Sequence, residues 1–281
     1  MRPDVTRLKP FLDAVYDRFH TEESLACDPL SFPRQYRDPI DREAAAVIAS
    51  AFAFGRVAAF MPVIDKVLSR LGESPGQALA EGNRALFREV ADGVIYRFAT
   101  PPNVEALLSG TAALLRRDGS LEPSVMSGFA AGGTVNGLLS LADALRSSGD
   151  GDPGFLVPVG NPDSPMKRLC MLLRWMVRRD GIDLGIWNGL RPSDLLFPLD
   201  VHVFRISGLL GLGDAGQNNA PRMKDAIALT RQLAELDQED PVRYDFALSH
   251  LGISGTCRGS AGPNCADCPL VTVCGARLAC D

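Results

Sequence analysis

The chain has 281 residues, 46% of them hydrophobic and 22% charged, with a formal net charge of −5. That apolar content is enough for one large core or two packed lobes, and it excludes a disordered chain. The acidic balance excludes a protein that coats nucleic acid through global charge, although a local basic face would still bind it.

The opening MRPDVTRLKP runs into an amphipathic stretch, not an apolar one, so a cytoplasmic location is expected. Residues 8–19 place apolar side chains at helical spacing. A loop rich in Pro and Arg follows at 29–39, and Asp41 stands as a plausible cap for the apolar run after it. Residues 44–64 are long and apolar enough to raise a membrane question. Arg56 near the middle, Pro62 near the end and the alanine content favour a buried helix, so no membrane contact is expected. Residues 81–98 and 103–117 read as two helices split by Thr100-Pro101-Pro102, and 125–145 reads as a helix weakened by glycines. A connector at 149–165 leads to a strong helix at 165–179, whose polar surface is expected to carry Arg168, Arg174, Arg178 and Arg179. Residues 183–198 read as a link with two short helical pieces. Helices are expected at 201–210, 221–236 and 241–251, the last two each opened by a proline.

No alternating β pattern appears, so the expectation is an all-α monomer of about ten helices. Residues 1–40 would join a second lobe, 41–150 would form one helical lobe, 151–254 a catalytic lobe, and 255–281 a cysteine loop.

That loop carries Cys257, Cys265, Cys268 and Cys274 with spacing C-x7-C-x2-C-x5-C. The chain has seven cysteines, an odd number with Cys27 and Cys170 isolated and Cys280 beyond the cluster, which makes a poor disulfide framework and a good metal framework. Soft thiolates select zinc or an iron–sulfur cluster over magnesium or calcium. Gly255, Gly259, Gly262 and the Pro263-Asn264 pair let the backbone turn around such a centre.

A second string, PLDVHVFRISGLLGL at 198–212, puts Asp200 at the mouth of a helix. By residue type and position Asp200 reads first as an N-cap. A carboxylate there also feels the helix dipole and stays ionised for chemistry.

Together, the helical pattern, the Asp200-Val201-His202-Val203-Phe204-Arg205 string and the cysteine loop resemble the endonuclease III branch of the helix-hairpin-helix DNA glycosylase superfamily. That branch carries V-D-T-H-V-x-R and a later C-x6-C-x2-C-x5-C. Residues 48–53, IASAFA, are similar to the superfamily's leucine-leucine-serine-alanine-glutamine helix. The strings SPMKRLCMLLRWMVRRDGIDLGIW, PLDVHVFRISGLLGL and DPVRYDFALSHLGI more closely resemble DUF2400, a bacterial family usually placed in that superfamily. The resemblance implies a two-lobed helix-hairpin-helix glycosylase fold, a damaged DNA duplex as partner, and a [4Fe–4S] cluster on the four cysteines, with zinc as the alternative. It implies that Asp200 is catalytic and that Arg258 and Arg277 lie near the DNA backbone.

The departures matter. The stretch before Asp200 has no leucine-proline-glycine-valine-glycine hairpin and no lysine, and Phe52 stands where the superfamily has a glutamine. Archaeal oxoguanine glycosylases take their lysine from further upstream, and Lys167, thirty-three residues before Asp200, resembles that arrangement. Lys167 is therefore the expected nucleophile. Phe52 and Trp175 are expected to stack on a base, and Arg56, Arg168, Arg174 and His202 to contact DNA. A non-catalytic nucleic-acid-binding protein on the same scaffold is the competing expectation.

Overall fold

The computed structural model describes residues 4–213, 220–257, 260 and 263–275. Among them are twelve α-helices: α1 (Lys9–Phe19), α2 (Glu22–Leu25), α3 (Pro39–Phe52), α4 (Val57–Leu71), α5 (Pro75–Glu81), α6 (Arg84–Ala91), α7 (Pro101–Asp118), α8 (Glu122–Ser147), α9 (Lys167–Val177), α10 (Val201–Leu209), α11 (Met223–Leu233) and α12 (Asp245–Ile253). The described residues form no strand; an isolated antiparallel bridge joins Tyr96 and Ala99. The fold is all-α.

Local chemistry sets most of the boundaries and corrects several expectations. Helix α3 starts at Asp38, whose carboxylate accepts from Ile40 N at 3.0 Å, with Pro39 in the first turn. Asp41 is not the cap: it is buried, and its Oδ1 accepts from Gly76 N at 2.8 Å. The apolar run at 44–64 is two helices, α3 and α4, interrupted at Gly55 (φ +87°). Each is too short to cross a bilayer. By length and composition α8 is long and apolar enough, but its backbone is non-helical at Gly132 and Gly133.

The single helix expected over 81–98 is also broken. Asn83 caps α6 by accepting from Ala85 N (2.9 Å) and Leu86 N (3.2 Å), and the chain leaves the helix after Ala91. Proline does not open the last two helices. An Arg222–Asp225 capping box starts α11 at Met223, and Pro241 lies in a turn ahead of α12.

The chain divides into two compact units, each built from separated segments. One comprises residues 25–162 and 171–190. In it α5, α6 and α8 pack on α7, and α3 packs on α5. The crossing of α7 and α8 is close enough that a Cβ on Gly110 would lie 2.1 Å from the Leu145 carbonyl oxygen. Its interior also holds charge. Arg174 and Arg178 are buried, not on the polar surface expected for them, and converge on Asp183 at 3.2 and 2.7 Å. Arg178 also meets Asp180 at 2.7 Å, so two carboxylates face the two buried cations, and burial is tolerable because each is paired.

The other unit comprises residues 1–24, 163–170 and 191–281. Here α1 and α10 both pack on α12. Tyr244 donates to Asp13 at 2.7 Å, tying the start of α12 to α1. The chain passes from this unit to the other within α9, after Cys170.

Candidate functional site

Asp200 caps α10. One carboxylate oxygen, Oδ1, accepts from His202 N at 2.9 Å and Val203 N at 2.8 Å. The other, Oδ2, faces Lys167, whose Nζ is 3.6 Å away. The two residues are thirty-three positions apart in sequence. They meet because Asp163 O accepts from Met223 N (2.9 Å), fixing the lead into α9, and because Lys167 is the first residue of that helix. Their side chains retain 26% and 37% of their exposure, so a ligand can reach both. A carboxylate with one oxygen committed to the backbone and one aimed at an amine can accept a proton without losing its place.

His202 lies half-buried beside them. Its ring rests on Gly252 of α12 so closely that a Cβ there would stand 1.8 Å from Nε2. Burial lowers the imidazole pKa, Asp200 opposing and exposed Arg205 assisting. Nε2 is buried with no hydrogen-bond partner among the described residues. A neutral imidazole in this place braces the first turn of α10.

The far half of α10 borders the second feature. Cys257, Cys265, Cys268 and Cys274 all line one recess, closed by Ile206 and Leu209 of α10, by Leu210 just after it, and by Leu270 and Val271. Burial raises the Cys268 thiol pKa, and neighbouring Cys265 and Cys274 add to the rise. Arg18 of α1 donates to Asp267 O at 2.5 Å, pinning the residue before Cys268. Among the described residues no three His, Cys, Asp or Glu side chains are grouped to hold a single metal ion. Arg258, Gly259, Gly262, Arg277 and Cys280 lie outside the described residues.

The remaining expected site residues fall elsewhere. Phe52 and Trp175 are fully buried, and Arg174 is held in its ion pair with Asp183, so these three do not form a surface. Arg168 is half-buried, and desolvation lowers its pKa to about 10, which leaves it charged. Arg56 is exposed at the start of α4.

Sequence reasoning passed over two carboxylates that hold the stretch where a hairpin was sought. Glu43 Oε1 accepts from Trp187 Nε1 (2.9 Å), Leu121 N (2.7 Å) and Ser120 Oγ (2.9 Å). Glu122 Oε1 accepts from Asn188 N (2.8 Å) and Gly189 N (2.6 Å). Those consecutive amides are of the kind that cradle a phosphate, and here a side-chain carboxylate takes them. The one signal in the sequence was a lone glutamate heading an alanine run.

No curated protein matches the sequence. The family described as "Protein of unknown function (DUF2400)" matches residues 28–254, a span that covers most of one unit and part of the other, takes in the Lys167–Asp200 pair and the Gly252 seat of His202, and stops before the four cysteines. With most of its length matched, the chain belongs to the DUF2400 family.

Proposed function

We propose that this protein is a DNA base-excision glycosylase of the helix-hairpin-helix type, with lyase activity, and that its cysteine loop binds a [4Fe–4S] cluster. The observation that carries the proposal is the meeting of Lys167 and Asp200 at the exposed end of α10. An amine beside a carboxylate at a helix N-terminus suits attack on the sugar carbon of a flipped-out nucleotide. Asp200 takes a proton from the Lys167 ammonium. The amine then bonds to C1′, the glycosidic bond breaks, and the base leaves with its electron pair. The bound nitrogen then loses a proton and expels O4′ from C1′, O4′ taking the proton that Asp200 holds; the sugar ring opens to a Schiff base, which permits strand cleavage. If water attacks instead, Asp200 takes the water's proton and the product is an abasic site.

The four cysteines suit a polynuclear cluster better than one zinc. Zinc ligands usually come as two close pairs, and here Cys265 and Cys268 alone form one, while the four thiols line one recess. A cluster bound there would hold the loop to α10 and supply no step of the base-excision chemistry.

The competing reading is a nucleic-acid-binding protein without catalysis. It is favoured by the absence of a lysine in the stretch before Asp200 where the glycosylases carry theirs.

Asp200→Asn separates the two. Asparagine caps a helix as well as aspartate does, so the fold should survive. Excision from a panel of damaged duplexes should fall by about 10²–10⁴-fold while DNA affinity persists, the usual weight of acid–base assistance. Borohydride should trap wild-type protein on an abasic duplex and should not trap Lys167→Ala. Undiminished excision in Asp200→Asn would remove Asp200 from the chemistry. Absence of excision in wild-type protein that binds the duplexes would favour the non-catalytic reading.

A further inference from the structure

After α6 the chain turns back on itself at residues 94–99. Tyr96 N donates to Ala99 O (3.0 Å) and Ala99 N donates to Tyr96 O (2.8 Å), so Arg97 and Phe98 form a two-residue loop. Arg97 has φ +51°, a left-handed conformation that residues bearing a Cβ adopt rarely. The turn is nonetheless firmly seated, because Tyr96 is buried and its hydroxyl donates to the Phe54 carbonyl. Strain held in place by its surroundings marks positions worth testing for function.

What the turn presents is unusual for an acidic protein. Phe98 is 62% exposed and Ile95 72%. Phe98 packs on Phe155 (ring centroids 5.2 Å apart), itself 46% exposed, and Phe155 on Phe54 (4.9 Å). The Arg97 guanidinium lies 5.7 Å from the Phe98 ring centroid and reaches Gly55, beside exposed Arg56. The Arg97 guanidinium also bonds to the Tyr96 hydroxyl, and among the described residues neither arginine forms an ion pair with a carboxylate. Exposed aromatic faces interleaved with unneutralised guanidinium groups complement a ligand that is both flat-ringed and anionic. An apolar protein partner would match the rings and leave the charges unpaired. A nucleic acid with unpaired bases matches both, its bases stacking on the rings and its phosphates meeting the arginines.

We propose that the 94–99 turn, with Phe155, is a second nucleic-acid contact that stacks unpaired bases of single-stranded DNA, Arg97 and Arg56 meeting the flanking phosphates. The proposal rests on the DNA-directed reading above and assigns it a surface that the Lys167–Asp200 pair does not use.

Three variants test it with oligothymidylate as the probe. In Phe98→Trp the new indole is exposed whereas Trp175 and Trp187 are buried, so its emission should be quenched on titration, less so as salt rises. Phe98→Ala should weaken binding about tenfold, the loss of one stacked base. Arg97→Gly removes the charge while suiting the left-handed backbone, so it should fold and should lower the salt dependence by about one phosphate contact. Unchanged affinity in Phe98→Ala and Arg97→Gly, with wild-type protein still binding an abasic duplex, would overturn the turn as a contact and leave the glycosylase reading standing. Quenching by anionic phosphatidylglycerol vesicles and not by oligothymidylate would overturn it in favour of a lipid surface. No binding of either DNA by wild-type protein would overturn this proposal and the reading beneath it together.

Discussion

Glu43 places a carboxyl in an interior that supplies three donors to one of its oxygens. Those bonds favour the carboxylate, but burial outweighs them and raises its pKa to about 7, with nearby Glu122 adding to the rise. The consequence for stability has a definite sign. Below pH 4.5, the ordinary value for Glu, folded and unfolded chains are both protonated and the group makes no difference. Between there and about pH 7 the folded chain keeps a proton that the unfolded chain has released, so stability falls as pH rises. The full cost above that window is about 3 kcal/mol. Gln is neutral throughout and its carbonyl still accepts from the Trp187 indole. Thermal unfolding of wild-type protein should therefore lose midpoint temperature between about pH 5 and pH 8, and Glu43→Gln should lose much less. Parallel losses in the two proteins would show that Glu43 titrates as an ordinary carboxyl.

At the scale of elements, the contact between α10 and α12 turns on a single missing methyl group. His202 lies over Gly252, and Gly252→Ala would put a Cβ 1.8 Å from Nε2. The helices must part or the imidazole must leave, at a cost of about 1–3 kcal/mol. The same alanine in a His202→Ala background meets no ring and should cost clearly less, a coupling that urea midpoints of the four proteins would measure. Additive costs would mean that the ring does not set the spacing. What the sequence disclosed follows from range. The Asp200 cap was legible because it binds amides two and three residues ahead, and the helical class was legible from periodicity. The break between α3 and α4 was less legible, because both sides of Gly55 are equally apolar. The burial of Arg174 and Arg178 was not legible at all. A cationic helix face reads as solvated until Asp183, beyond the end of that helix, is known to fold back beneath it. The pairing of Lys167 with Asp200 was expected from resemblance alone, since nothing local links a helix's first residue to a cap thirty-three positions later.

At the scale of the whole molecule, one unit is assembled from three segments, one from each end of the chain and a short one from its middle, and the cysteine loop belongs to it. Among the described residues after Cys257, Leu270 is the buried apolar one, and Cys265, Cys268 and Cys274 are half-buried. One long-range tie is Arg18, carried by α1, on the carbonyl of Asp267. A loop with so small a core gains order from whatever binds it, because a ligand taken only by the folded form stabilises that form by mass action. If the cysteines hold a cluster, Cys268→Ser should lose iron and its visible absorption when purified without oxygen. Hydrogen exchange should then quicken at 263–275 and in α12, while α3 and α7, in the other unit, keep their protection. Arg18→Ala leaves every cysteine in place and removes only the tie from α1, so it should load iron and release it faster to a chelator than wild-type protein does. Equal release rates would show that the recess holds its contents without help from the N-terminal helix. Iron content untouched by Cys268→Ser would take that cysteine out of the ligand set and, with it, the basis for a four-thiolate cluster.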